Sequence, residues 1–157
     1  MTDVKLGSLF STLENSAKEL NSITDSCNKT LQSAQDRLVS LNVGIEYWFD
    51  DPIHRSDLSG DVGPNDVSTE YWKHLGFCKI DGVWVLGVKE VRHASGFYQG
   101  DLEYPFTSKY VDNPPVPILN SSRELRLSAC DSLADFLSAY GTFFQAMNKE
   151  LSEGQSA

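Results

Sequence analysis

Residues 50–66, DDPIHRSDLSGDVGPND, are the densest set of side chains in this chain that could carry chemistry. Carboxylates beside an imidazole can ligate a divalent cation or act as an acid–base pair. The candidate metal ligands are Asp50, Asp51, His54, Asp57 and Asp61. Two interpretations follow, a metal or catalytic loop and a solvated connection between strands.

The spacing of these residues departs from a calcium loop. Asp57, Ser59 and Asp61 match its first, third and fifth positions, but Val62 stands where glycine is required and Ser68 where glutamate is required. Aspartate, serine and proline are also good turn formers. We therefore favour the solvated loop and predict no catalytic residue, bound metal or other cofactor.

Other chemistry is sparse. The sequence lacks the motifs of serine hydrolases, zinc proteases, P-loops and dinucleotide-binding turns. His74 and His93 lie at opposite ends of a predicted hairpin, where we expect them to be near neighbours across it. The three cysteines form no CxxC pair and lie on apolar stripes, which indicates buried thiols.

Composition narrows the class of protein. The 157 residues carry a net charge of −9, so a phosphate backbone would be repelled and we expect no nucleic-acid partner. No apolar run is long enough to cross a membrane, and the first residues do not resemble a signal peptide. These features predict a cytoplasmic protein without a membrane partner.

The elements around the loop begin with a helical arm over residues 1–42. Apolar residues alternate at spacings of four and three over five heptads, a pattern typical of a coiled coil or of a long helical hairpin. The weak helix formers in NSITDSCNKT make a break near residues 25–28 a possibility. The stripe consists of Leu6, Phe10, Leu13, Ala17, Leu20, Thr24, Cys27, Leu31, Ala34, Leu38 and Leu41.

A second heptad-patterned segment occupies residues 121–152. Ser121 and Glu124 fit a capping box, and a second capping signal near residue 132 leaves one helix or a helix pair open. We expect the two helical segments to pack antiparallel against each other and on one sheet face. Self-association through the N-terminal arm is the alternative.

Residues 43–120 predict a small antiparallel sheet with long loops. Asp81-Gly82 predicts a two-residue hairpin that pairs Ile80 with Val83 and Gly76 with Gly87. Further strands are expected over residues 43–49 and near 104–111. The prediction is one α+β domain over residues 1–157, with three to four strands, flanking helices and a tail at 153–157.

The two faces of this hairpin differ. Gly76 and Gly87 open a shallow groove on one face, where we favour a packed helix over a ligand. The other face carries Phe77, Trp84 and Leu86, which are bulky enough to meet a helix or a partner chain.

These patterns favour a non-enzymatic protein–protein interaction or assembly protein, with a homodimer formed through the N-terminal helix. An acidic inhibitor or immunity-like protein that binds a basic partner is a more specific version. The alternative class is a small metal-dependent enzyme or ligand binder that uses the loop at 50–66. Aromatic residues near acids are the predicted interaction residues, because aromatics are enriched at interfaces: Trp48, Tyr71, Trp72, Tyr98 and Tyr104.

Overall fold

The computed structural model describes residues 2–57, 67–97 and 105–156, without the side chains of Asp57 and Phe97. These residues form two long helices and an antiparallel sheet, which confirms the predicted α+β class. The helices are α1 (Thr2–Ser40) and α2 (Arg123–Gln155). The strands are β1 (Tyr47–Trp48), β2 (His54–Asp57), β3 (Ser68–Ile80), β4 (Val83–Phe97), β5 (Pro105–Tyr110) and β6 (Val116–Pro117).

The β3–β4 hairpin is the centre of the sheet. Its turn residues Asp81 and Gly82 have φ angles of 50° and 81°, as a type I′ turn requires. The predicted register is confirmed, because Ile80 pairs with Val83 and Gly76 with Gly87. Pairing continues from this turn as far as Ser68 and Ser95, well beyond the segment that the apolar pattern indicated.

Short strands border this hairpin on both sides. β1 and β2 pair with β3, while β5 and β6 pair with β4, so the prediction of three to four strands was too low. β2 lies in the stretch interpreted as a loop, and β6 lies in the proline-rich segment before α2. The strand expected over residues 43–49 is only Tyr47–Trp48. The strand expected near 104–111 is confirmed as β5.

Both helices are continuous where a break was considered. α1 passes through residues 25–28 without interruption, and Thr24, Cys27 and Leu31 are buried there. α2 likewise has no junction near residue 132. Its N-cap is Ser122, whose hydroxyl accepts a hydrogen bond from the Leu125 amide, so the predicted N-cap at Ser121 was one residue too early.

The helices run parallel, and the antiparallel expectation was wrong. Their contacts advance in the same direction along both helices. Asn21 meets Arg123, Asn28 meets Arg126, and Leu38 and Leu137 line one shared groove. A sheet of six strands separates the two helices in sequence. The short connection that would favour antiparallel neighbours is therefore missing.

The hydrophobic core lies between both helices and the bulky face of the hairpin. Leu75, Phe77, Leu86 and Val88 point into it from the sheet, and Leu31, Ile118 and Phe136 meet them. Two polar contacts fix the layers. Gln35 Oε1 accepts a hydrogen bond from the Leu86 amide at 2.9 Å, and the Tyr140 hydroxyl donates to the Ile45 carbonyl.

The glycine face of the hairpin is turned away from both helices. The indole of Trp48 covers Gly76, and Cys78 Sγ with the Val116 carbonyl crowd Gly87. The groove expected to receive a helix is therefore filled by a side chain from β1. Cys78 is buried on this face and Cys27 is buried in the core, as predicted, whereas Cys130 is only partly buried.

Candidate functional site

The acidic loop does not form a site in the described residues. Asp50 and Asp51 are exposed in the turn after β1, and His54 pairs with Lys73 at the start of β2. The side chain of Asp57 and all of Asp61 lie outside the described residues. Within the described ranges, no three His, Cys, Asp or Glu side chains come together in a way that would hold a metal ion.

His74 and His93 are less close than the sequence suggested. His74 pairs with Lys89 and His93 with Glu70, so the two histidines are offset by four positions along the hairpin. The expectation that the two histidines are near neighbours across the hairpin was therefore wrong. Both imidazoles nevertheless point to the glycine face and line one cavity, because residues two apart on a strand share a face.

This cavity, of about 370 Å³, is the candidate ligand site. We call it the Trp–His pocket and define it by Trp48, Trp72, His74, Lys89, His93 and Lys109. The register builds it from four strands. β1 supplies Trp48, β3 and β4 supply the centre, and β5 places Lys109 directly beside His93.

Trp72 is the centre of an aromatic and cationic arrangement. The ring of His93 lies 4.0 Å from the Trp72 ring, centroid to centroid, and the Arg55 guanidinium lies 4.1 Å from the same ring centroid. Arg55 also donates to Glu70 at 2.8 Å. Lys89 Nζ lies 4.7 Å from the centroid of the Trp48 ring. Cation–π contacts of this kind are favourable and leave the ammonium hydrogens free to bind a ligand.

Two polar atoms of the pocket are buried without a hydrogen-bond partner, Trp72 Nε1 and His93 Nε2. By contrast, His74 Nδ1 lies 2.9 Å from the Phe49 carbonyl oxygen. Because a carbonyl only accepts, this nitrogen carries the proton. A buried polar group without a partner costs about 1–3 kcal/mol, so such atoms call for an explanation.

The electrostatics of the pocket oppose additional positive charge. Burial lowers the pKa of His74, and the nearby Lys89 and Lys109 lower it further. Burial also lowers the pKa of His93, with Lys109 and His74 acting in the same direction. Two ammonium groups and two imidazoles therefore share a small volume, and among the described residues Asp50 alone adds a carboxylate to its lining.

The predicted interaction aromatics separate into three groups. Trp48 and Trp72 come together in the Trp–His pocket. Tyr71 lies on the opposite sheet face beside Arg92, and Tyr98 and Tyr104 lie outside the described residues. The sequence analysis missed Lys89 and Lys109. The register of the hairpin places Lys89 beside His74, but the partner strand of Lys109 was not predictable.

A second candidate surface is the first half of α1. Every described side chain from residue 2 to 23 is exposed, including Phe10 at 61% and Leu13 at 62%. In the second half of the same helix, Leu31 is fully buried against the core. We call the exposed apolar residues the arm stripe: Leu6, Leu9, Phe10, Leu13, Leu20 and Ile23.

The geometry of α2 explains this difference along α1. Arg123, in the first turn of α2, donates a hydrogen bond to the side-chain oxygen of Asn21. The part of α1 before Asn21 therefore extends beyond the start of α2. Residues 2–23 cover about 33 Å at 1.5 Å per residue. The apolar pattern thus continues without interruption from a buried interface onto an unpaired helix.

A groove of about 700 Å³ between α1 and α2 is a third candidate surface. Serine, threonine and leucine side chains dominate its lining, with Lys29 and Arg37 at its edge. It presents no unpartnered buried polar atom among the described residues. The groove therefore gives less indication of a ligand than the Trp–His pocket.

No protein-family model, curated protein or solved structure matches this chain. In the part of the chain that the structure describes, neither helix has an apolar stretch that would cross a membrane.

Proposed function

We propose that this chain is a non-enzymatic assembly protein whose α1 arm pairs with the arm of a second copy. The observation that carries the proposal is the arm stripe, which is exposed, whereas Thr24, Cys27, Leu31 and Leu38 of the same heptad pattern are buried. Four- and three-residue spacing is the pattern that a partner helix fills with interlocking side chains. A second copy offers the same length and the same spacing.

The composition of the arm supports a partner. Serine, asparagine and threonine are frequent in residues 2–23, so the intrinsic helix propensity is modest. An exposed helix of this kind is marginal in water and depends on packing of its apolar face. Pairing of two arms would supply that packing.

Charge favours a second copy over a strongly charged partner. Three acids and two bases give residues 2–23 a net charge of −1, which leaves −8 of the total −9 on the rest of the chain. The arm is thus nearly neutral, and two arms repel each other little. The charged residues of the arm are Asp3, Lys5, Glu14, Lys18 and Glu19.

The same charges favour antiparallel arms. A parallel pair would place two bodies of charge −8 side by side, whereas an antiparallel pair holds them at opposite ends of about 33 Å of helix. Screening at physiological salt acts over about 8 Å, so the separated bodies would hardly repel each other. We expect an elongated dimer with two separate bodies.

The acids of the described residues give the inhibitor interpretation less support. They lie on both helices, on β3 and β4 and in the connections, and three of them already pair with basic residues: Glu70 with Arg55, Glu90 with Lys73 and Asp112 with Arg92. A protein that covers a basic active site needs its acids concentrated on one surface. Location in the cytoplasm remains part of the proposal.

The test is the mass of the chain in solution. We expect light scattering at about 100 μM to give twice the 17.5 kDa of one chain, and small-angle scattering to give an elongated particle. The variant Phe10→Gln/Leu13→Gln should be monomeric, because it removes two residues of the arm stripe. A monomeric wild-type protein would overturn the proposal.

A matched variant controls for the substitutions themselves. Ser8 and Asn15 lie on the outer face of the same turns, away from the arm stripe. Ser8→Gln/Asn15→Gln introduces the same side chains there and should remain dimeric. If both double variants dissociate, the helix rather than its stripe controls assembly.

A further inference from the structure

We infer that the Trp–His pocket binds a small organic oxyanion, a carboxylate or a phosphate ester carried on a flat apolar body. This inference does not depend on the proposed assembly function. It follows from the donors that the pocket presents, from its charge and from the shape of its walls.

Trp72 Nε1 is a buried donor without a hydrogen-bond partner. An indole N–H only donates, so the partner that Trp72 Nε1 lacks must be an acceptor. Ammonium groups also only donate, and Lys89 and Lys109 line the same cavity. Two ammonium groups that line the cavity, with an unpartnered indole N–H buried in one of its wall residues, fit an oxygen-rich acceptor, and charge-assisted bonds of this kind are the strong ones.

The described lining of the pocket is positively charged. With both imidazoles neutral, Lys89 and Lys109 against Asp50 give the lining residues that the structure describes a net charge of +1, in a chain whose total is −9. A local positive charge in an acidic protein is a preferred position for an anion. Lys109 is exposed at the rim and is free to turn toward a ligand.

The pocket also has flat apolar walls. Trp48 and Trp72 supply them, and the polar groups lie directly beside these rings: Lys89 Nζ is 4.7 Å from the Trp48 ring centroid, and the His93 ring is 4.0 Å from the Trp72 ring. A cavity of about 370 Å³ lies in the size range of small-molecule sites. Indole faces beside ammonium groups favour a ligand that presents both a flat apolar ring and an oxyanion.

Proton uptake should accompany binding. A bound anion offsets the lysine charges that disfavour protonation of His74 and His93, so both imidazoles gain affinity for protons. Binding should therefore tighten as the pH falls from 7.5 to about 5.5. The charged or titratable groups that face the imidazoles are Asp50, Arg55, Glu70, Lys89 and Lys109.

The experiment follows the three indole N–H signals in nitrogen–proton correlation spectra, each assigned by a Trp→Phe variant. Benzoate and phenyl phosphate are titrated at constant ionic strength, with benzamide as a neutral analogue of benzoate. We expect a saturable shift of the Trp72 signal with at least one anion and none with benzamide. Trp84, which stacks on Phe77 beside the core, is the internal control.

Lysine variants test the charge. Lys89→Met and Lys109→Met keep the length of the side chain and should each weaken binding about tenfold. Lys79→Met, at the hairpin tip, should leave it unchanged. Lys109 is exposed, so its replacement leaves the fold intact. Equal weakening by Lys79→Met would show a general charge effect and overturn the inference.

Two further outcomes would also overturn it: a Trp72 signal that does not move with either anion up to about 20 mM, or an equal shift with benzamide. If both anions bind, the tighter one identifies the class of ligand. Phe10→Gln/Leu13→Gln should retain full binding, since the arm lies away from the pocket. This variant separates the failure of the pocket from the failure of assembly.

Discussion

The indole of Trp48 lies so close to Gly76 that a Cβ at position 76 would come within 2.2 Å of Trp48 Cε3. The two residues are directly paired across β1 and β3. The absence of a side chain at position 76 therefore determines where Trp48 lies. Because Trp48 is a wall of the Trp–His pocket, this one glycine also shapes the candidate ligand site.

Gly76→Ala should destabilise the fold. The methyl group would push the indole off the sheet, and overpacking of this kind costs about 1–3 kcal/mol. The free energy of unfolding, measured by urea denaturation, should fall by that amount. The indole N–H signal of Trp48 should move as well, because its environment changes.

Gly141→Ala is the matched control. Gly141 lies inside α2 with open space where a Cβ would be, so alanine should stabilise the helix by up to about 1 kcal/mol. If Gly76→Ala proves as harmless as this control, the close packing of Trp48 on Gly76 is wrong.

Leu13 and Leu31, which belong to the same heptad stripe, should respond differently to replacement by alanine. Leu31 is fully buried, so Leu31→Ala should lower the free energy of unfolding by about 2–5 kcal/mol at any protein concentration. Leu13 is exposed in the single chain, so Leu13→Ala should change stability only where the chain assembles. Thermal melts at a low and a high protein concentration distinguish the two. A large loss for Leu13→Ala at the lowest concentration would contradict this.

Stability should fall in mild acid. The pKa values of His74 and His93 are lowered in the fold, mainly by burial, from an ordinary value of 6.5. Below pH 6.5 the unfolded chain thus binds protons that the folded chain does not, and the stability present above that pH is progressively lost. The melting temperature should be level from pH 8 to about 7 and then decline.

Replacement of the two histidines tests the cause. His74→Asn/His93→Gln should flatten the decline below pH 6.5, because neither new side chain titrates. His54→Gln, which replaces the histidine outside the pocket, is the matched control: a decline that flattens as much in this variant as in the double variant would contradict an origin in the pocket. An unchanged slope in the double variant would assign the decline to other groups.

The cysteines should differ in reactivity. Burial raises the pKa of Cys27 and of Cys78 to about 11, so at pH 8 only about one thousandth of each is thiolate. Cys130 is half-buried and more accessible. Iodoacetamide should modify Cys130 first in the folded protein and all three in urea, as read by peptide mass spectrometry. Early modification of Cys78 would contradict its buried position on the glycine face of the sheet.

Local patterns predicted the parts of the fold that local chemistry controls. The Asp81-Gly82 turn determined the hairpin and its register, because a two-residue turn leaves one way to pair the strands. The 3.5-residue spacing likewise indicated the helical segments. The short strands were less predictable, since β2 and β6 depend on the exposed edges of β3 and β4 rather than on their own residues.

The candidate pocket was predictable only in pieces. Trp48 and Trp72 were expected at an interaction surface, but the sequence does not show that the side chain of Trp48 folds over Gly76. Lys109 enters through the pairing of β4 with β5, which involves segments far from the hairpin turn. Long-range strand pairing, rather than any motif, assembles this site.

The hydrogen bond from the Leu86 amide to Gln35 Oε1 has a consequence for solubility. β3 occupies one side of β4, while β6 pairs on the other side only at Gly87 and Val88. Near the hairpin tip, the Leu86 amide of β4 would otherwise be open to a strand from another molecule. Open strand edges of this kind promote aggregation. The Gln35 side chain occupies that donor and thereby opposes growth of the sheet from one molecule to the next.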